Sequence, residues 1–186
     1  MWEPARKAVA LFAPLLLGFA VHGVCIRFGL LRALGRPIDN GRCWRGRRLF
    51  GENKTFRGIV LVAAGTAVGY AISSAAGVWP AGPLSHPSVA LCVGFATGAA
   101  AMAAELPNSL LKRQLGIAPG SQPGGKLGPL FHVLDQVDVV VGAWAVLLWI
   151  VEPDLVTVLA SLVFMYLAHQ AITLAGYALG MRATWR

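Results

Sequence analysis

The sequence predicts an all-α integral membrane protein with five transmembrane helices, the N-terminus outside, the C-terminus cytoplasmic, and a single domain over residues 1–186. Three observations lead there. The chain is 56% hydrophobic and 13% charged, with a mean hydropathy of +0.64, which is too apolar for an ordinary soluble domain. Apolar stretches recur at the length of about 20 residues that a bilayer core of about 30 Å requires. Lys and Arg crowd into alternate connections between those stretches, as they do in multi-pass proteins whose basic loops stay in the cytoplasm.

The first span covers about residues 8–26. It has the length of a secretory signal, but no small-residue cleavage site follows and the chain runs on into an Arg-rich connection, so it is expected to be retained. The second span, about residues 58–78, carries Gly65 and Gly69. The third, about residues 88–111, carries Gly94 and Gly98. Small residues four apart let helix backbones approach closely, so these faces are expected to pack. They serve packing within one chain and pairing of two chains equally, and a homo-oligomer is compatible with them. Pro107 removes one helical hydrogen bond and is expected to bend the third span and free the carbonyl of Ala103. The fourth and fifth spans cover about residues 132–151 and 155–181.

Cys25, Cys43 and Cys92 are too widely spaced for a disulfide framework or a zinc pattern and read as small apolar filler. His22 and His169 lie inside apolar spans, where an interhelical contact is the ordinary role. His132, beside Asp135, is placed to orient an acid or a phosphate.

The connection between spans one and two holds Arg27, Arg32, Arg36, Arg42, Arg45, Arg47, Arg48, Lys54 and Arg57. That between spans three and four adds Lys112, Arg113 and Lys126, and the C-terminus adds Arg182 and Arg186. Residues 80–87 and 152–154 contain no Lys or Arg. This asymmetry puts the basic connections in the cytoplasm; only Arg6 and Lys7 dissent. Cations near a bilayer hold anionic head groups, each contributing about 1 kcal/mol, and Arg27, Arg32, Arg36, Arg182 and Arg186 need no other role. Residues 42–58 are different, because they interleave cations with glycines, an amide and a hydroxyl. Glycines let a backbone approach a phosphate closely. A short basic loop held on a membrane argues against nucleic acid as the partner.

Acids collect where cations otherwise dominate. On a helix Asp135 and Asp138, at i and i+3, share one face, and so do Glu105, Asn108, Ser109 and Lys112, at i, i+3, i+4 and i+7. Spans three and four packed antiparallel would join these faces and place three carboxylates around one space. Mg²⁺ takes a few such oxygens together with waters and substrate phosphates, so Asp135, Asp138 and Glu105 are the expected metal ligands. Helix capping explains one acid in a first turn but not two.

Three segments together resemble the CDP-archaeol synthase family, relatives of the integral-membrane phosphatidate cytidylyltransferases. They are residues 46–58 (Gly46-Arg47-Arg48 through Asn53-Lys54-Thr55-Phe56-Arg57-Gly58), residues 108–117 (Asn108-Ser109-Leu110-Leu111-Lys112-Arg113 onward), and Leu134-Asp135-Gln136-Val137-Asp138. The resemblance implies transfer of CMP from CTP to a membrane lipid phosphate, archaetidic-acid-like or phosphatidate-like, with Mg²⁺. It also implies a multi-pass cell-membrane protein whose site faces the cytoplasm. On the residues, Asp135, Asp138, Glu105 and Lys112 are the catalytic candidates. Arg47, Arg48, Asn53, Lys54, Thr55, Arg57, Asn108, Ser109 and Arg113 are the substrate-binding candidates. The chain departs from the family in carrying Ala104-Glu105 for Gly-Asp, which bears on metal position, and in a glycine-rich connection over residues 119–131. Two other readings use the same charges: a small transporter of an anionic solute, which predicts polar groups through the full bilayer depth, and a catalytically inactive lipid-binding subunit.

Overall fold

A computed structural model describes residues 3–119, 121, 125 and 127–178. Gln122, Pro123, Gly124 and Lys126 of the glycine-rich connection, and Arg182 and Arg186, lie outside the described residues. Five helices are long and apolar enough to cross a membrane: α1 (Pro4–Arg27), α2 (Phe56–Ala75), α3 (Pro87–Gln114), α4 (Leu127–Leu147) and α5 (Leu155–Ala178). Each contains the bulk of one expected span.

Helix starts follow local chemistry. Pro4 and Pro87 open α1 and α3, where a missing N–H costs nothing. The Thr55 hydroxyl caps α2 by accepting from the Gly58 N–H at 3.3 Å. Asp154 holds the start of α5 by accepting from the backbone N–H of Thr157 at 2.7 Å and from its hydroxyl. The same carboxylate pairs with Lys7 at 3.4 Å, and Lys7 also donates to the Glu152 carbonyl at 2.9 Å. Lys7 therefore sits against the acidic α4–α5 connection, which offsets one of the two cations that break the charge asymmetry.

α2 lies at the centre, with 56% of its apolar window buried, whereas α5 is peripheral at 17%. The Tyr70 hydroxyl of α2, fully buried, donates to the Leu11 carbonyl of α1 at 2.7 Å, and the Trp144 indole N–H of α4 donates to the Ser161 hydroxyl of α5 at 2.9 Å. Both are buried donors that must be satisfied. The core between helices holds Leu11, Phe12, Leu15, Val62, Ala101, Val140 and Leu147. Large side chains such as Leu155, Leu159 and Val163 stay on the outer surface, the side that faces lipid.

The glycine faces pack as expected. A Cβ on Gly65 would stand 2.6 Å from the Gly18 Cα, and one on Gly98 2.8 Å from the Ala63 Cα. The tightest contact is one that no repeat in the sequence announces: a Cβ on Gly142 would stand 2.4 Å from the Ala100 carbonyl oxygen and 2.7 Å from the Ala104 Cβ. Gly142 thus lets α4 lie against α3 one helical turn beyond Asp138. We expect Gly142→Ala to cost about 1–3 kcal/mol through overpacking, and to lower turnover further than that loss of folded protein explains. Thermal melting in detergent beside kcat would check it; equal losses in both would remove the link between this contact and the site.

One departure from an all-α chain lies between α1 and α2. Here β1 (Cys43–Trp44) and β2 (Arg47–Arg48) form an antiparallel hairpin. Its two-residue turn, Arg45 at φ 52 and Gly46 at φ 75, has the left-handed backbone that tight hairpins need. The Arg45 guanidinium lies 4.8 Å from the Trp44 ring centroid.

A candidate active site at one end of the bundle

With alternating directions, the C-terminal ends of α1, α3 and α5 and the N-terminal ends of α2 and α4 share one end of the molecule. The hairpin connection covers that end. α3 and α4 pack antiparallel there, and the two polar faces meet. The Asn108 amide nitrogen donates to Asp135 Oδ1 at 2.7 Å and to Asp138 Oδ2 at 3.2 Å, so one side chain of α3 ties together both acids of α4. Lys112, one turn further on, donates to both oxygens of Asp135 at 2.6 Å and lies 5.5 Å from the centroid of the Phe131 ring. Ser109 is buried beside them.

Asp138 stands apart. Its Oδ1 accepts from the backbone N–H of Val139 at 2.7 Å, and among the described residues no cation pairs with it. Glu105 and Asp135 both act on it electrostatically. Among the described residues the Asn108 side-chain carbonyl oxygen is buried without a donor, and a buried acceptor with no partner is costly. A cation taking the place that the amide nitrogen holds between the two carboxylates would let that amide turn and bring its oxygen to the ion. An all-oxygen set of this kind suits a hard divalent ion such as Mg²⁺.

The third expected ligand is placed differently. Glu105 pairs with Lys54, which reaches in from the loop just before α2. Among the described residues no three His, Cys, Asp or Glu side chains converge on one point. The longer Glu arm is engaged by Lys54, and the Glu105–Lys112 and Glu105–Arg113 pairings that sequence spacing allows are not the ones formed. His132 meets the Tyr166 ring edge-on at 6.3 Å between centroids. His22 packs in the α1–α2 seam, its Cε1 3.4 Å from where a Cβ on Gly58 would be.

Several loop candidates have structural partners. Arg47 donates to the Gln114 carbonyl at the end of α3, and the Gln114 amide returns a bond to the Arg48 carbonyl at 3.4 Å. Arg57 donates to the Leu30 carbonyl at 3.0 Å, and Thr55 is the cap of α2. Arg48 pairs with Asp39 and Glu52. Asn53 places its side-chain oxygen next to Gly51. Arg113 is buried, and its Nε and Nη1 meet no acceptor among the described residues.

Asp39 is the residue that sequence reasoning missed. Its carboxylate is fully enclosed and accepts from Arg48 and from the backbone N–H groups of Gly41, Phe50 and Gly51 at 3.0, 3.1 and 3.0 Å. Burial works against its ionisation, but these donors outweigh it and hold the pKa down at about 2. The sequence signal was Asp39-Asn40-Gly41, the pattern of an Asx turn, with Asn40 and Gly41 both at positive φ.

Comparison with known proteins gives the architecture a family. The model of the family described as CarS-like, CDP-archaeol synthase, matches residues 21–186. The CDP-archaeol synthase of Halorubrum lacusprofundi is 34% identical over 163 residues, 80% of this chain and 82% of that protein. Those of Halobacterium salinarum and Methanospirillum hungatei are 35% and 32% identical, covering 80% and 83% of this chain and 82% and 92% of their own lengths. A solved intramembrane enzyme for archaeal membrane lipids biosynthesis superposes with a TM-score of 0.68 at 24% identity, over 90% of this chain and 93% of its own, which supports the five-helix fold. With a family model over most of its length and relatives above 30% identity across four-fifths of it, the chain belongs to the CDP-archaeol synthase family and is a membrane cytidylyltransferase.

Proposed function

We propose that the protein transfers CMP from CTP to an ether-linked archaeal lipid phosphate, at a site on the cytoplasmic face, giving a CDP-lipid and pyrophosphate. The observation that carries this reading is the Asn108 side chain drawing Asp135 and Asp138 together beneath a basic loop. The names of the relatives supply the acceptor class. The basic connections supply the orientation, with the loop end inside and the Lys7–Asp154 end outside.

In the reaction an oxygen of the lipid phosphate attacks the α-phosphorus of CTP. A new P–O–P bond forms, the bond from the α-phosphorus to its bridging oxygen breaks, and the electron pair leaves with pyrophosphate. The nucleophile is already an anion, so no strong general base is needed; alignment and charge neutralisation are the main tasks. Asp135 and Asp138 would hold Mg²⁺, joined by the Asn108 carbonyl oxygen once that amide turns and by Glu105 once it lets go of Lys54. That ion supplies charge neutralisation for the phosphates when bound. Lys112 is held at the edge of the site by Asp135 and offers its three donors to substrate phosphate. Lys54, held by Glu105, does the same from the α2 side. Arg113 lies one residue beyond Lys112 with a guanidinium that has spare donors. Arg47, Arg48, Asn53, Thr55 and Arg57 shape the loop that closes over the nucleotide, and Ser109 supports the α3 face.

The deciding experiment is pyrophosphate release by the detergent-solubilised protein with Mg²⁺ and each of the four nucleoside triphosphates. Acceptors would be an archaeal-type ether lipid phosphate, phosphatidate and a polyprenyl phosphate. Release confined to CTP with the ether lipid is expected. Release with phosphatidate alone overturns the acceptor, and no release from folded protein overturns the enzyme.

A further inference from the structure

We propose that Asp39 is a positioning residue for nucleotide binding: it anchors the hairpin loop so that the turn at residues 51–53 closes over the buried Arg113 guanidinium, which takes a phosphate of the nucleotide. The inference rests on the cytidylyltransferase reading above and adds a residue and a device to it. Arg113 is 92% enclosed, and its Nε and Nη1 have no acceptor among the described residues. A guanidinium buried without an anion is costly and is kept where an anion will come. Its roof is the loop. A Cβ on Gly51 would stand 3.5 Å from the Arg113 Cδ, 3.5 Å from the Asn53 side-chain oxygen and 3.1 Å from the Pro119 Cγ. Gly51 has φ +93, so a side chain there is excluded by backbone strain as well as by space.

The near side of the roof is fixed by one carboxylate. The Gly51 and Phe50 N–H groups both end on Asp39 Oδ2, and Arg48 ends on the same carboxylate. Asp39 is itself held, because Ile38 N–H donates to the Lys54 carbonyl at 2.8 Å and Phe56 N–H to the Arg36 carbonyl at 3.1 Å, which pins the segment before its turn to the start of α2. Asp39 also neutralises Arg48, without which the basic loop would be repelled from the basic end of α3. Its far side is held at Lys54, whose carbonyl accepts from Ile38 and whose ammonium pairs with Glu105, and between these anchors the backbone of the turn has one long bond, Lys54 N–H to the Gly51 carbonyl at 3.4 Å. The short stretch between the anchors can therefore flex to admit a phosphate. Arg113 sits in the last turn of α3, under a polar loop and outside the apolar part of the span, which assigns the phosphate to the nucleotide rather than to the lipid.

Calorimetric titration of CTP with Mg²⁺, without lipid acceptor, tests this in full-length protein and in the Asp39→Asn, Arg113→Gln and double variants. Asp39→Asn is expected to weaken CTP about tenfold, and less than about twofold in the Arg113→Gln background, since charged hydrogen bonds of this size act here through one guanidinium. Equal losses in both backgrounds, or a lower melting temperature with unchanged CTP affinity, would make Asp39 a merely structural residue and overturn the proposal. Normal CTP affinity in Arg113→Gln would instead sink the phosphate role of Arg113. In turnover assays of the same variants with both substrates, a change confined to the KM of the lipid phosphate would overturn the nucleotide assignment. If Asp39→Asn fails to fold, Gly51→Ala probes the same roof without altering charge, and the same coupling to Arg113 is expected; additive losses would overturn it.

Discussion

Asp138→Asn is expected to lower kcat by about 10³-fold or more while leaving the melting temperature unchanged or raised. The two halves of that result have one cause. Asp138 is a carboxylate in an apolar helix, beside two other carboxylates, and no cation of the described residues pairs with it. Its donors are the Asn108 amide and the Val139 N–H, neither of them a cation to offset the neighbouring carboxylates, so an amide there relieves the folded protein. On the proposed reading the cost of keeping the acid is offset when substrates and a divalent ion arrive. Asp135→Asn is expected to be as inactive but less stable, because it leaves Lys112 buried beside an amide instead of a carboxylate. Pyrophosphate release, thermal melting and Mn²⁺ binding followed by electron paramagnetic resonance would be measured together. Near-normal turnover in either variant, or undiminished Mn²⁺ binding in both, would remove these residues from the metal site.

Much of this site was legible because its parts recur at helical spacing. Asn108 and Lys112 lie on one face of α3, Asp135 and Asp138 on one face of α4, and antiparallel packing of consecutive helices joins them with no further information. Pairings made by the loop were not legible. Lys54 reaches Glu105 across half of the α2–α3 hairpin, and nothing in a local pattern chooses it over Lys112 or Arg113, which are nearer in sequence. Asp39 was hidden for a similar reason: an acid in a basic, glycine-rich loop reads as solvated until its donors, eleven and twelve residues further on, are seen folding back. The hairpin turn at Arg45-Gly46 was masked by the surrounding arginines and glycines, which suggested a phosphate-contacting loop rather than a strand pair.

Close packing was only partly legible. Glycines spaced by four advertised the α1–α2 and α2–α3 seams, but Gly142 is a single glycine in α4 and meets the Ala100 carbonyl and Ala104. The Ala104 methyl group lies against the missing side chain of Gly142, and the neighbouring Glu105 pairs with Lys54.

Lys112→Met carries the second large expectation, a fall of about 10²-fold in kcat/KM for CTP with Mn²⁺ binding in the absence of nucleotide made tighter, by roughly tenfold for each 1.4 kcal/mol of competition removed. The Lys112 ammonium holds both oxygens of Asp135 at 2.6 Å, and its side chain is only 10% exposed. A divalent ion seeking Asp135 must displace that ammonium, and the same ammonium gains a better partner only when phosphates enter. Ion and nucleotide should thus bind synergistically in the native protein, each lowering the cost of the other. Lys54 on Glu105 sets up the same exchange on the α2 side. With methionine at 112 the competition disappears and so does much of the synergy: the free protein takes the ion readily, yet CTP gains little from its presence. Mn²⁺ titrations with and without CTP read this directly. An affinity for Mn²⁺ alone that is unchanged or weaker in Lys112→Met would show that the ammonium does not guard Asp135. Intact turnover in the same variant would show that it does not serve the phosphates either.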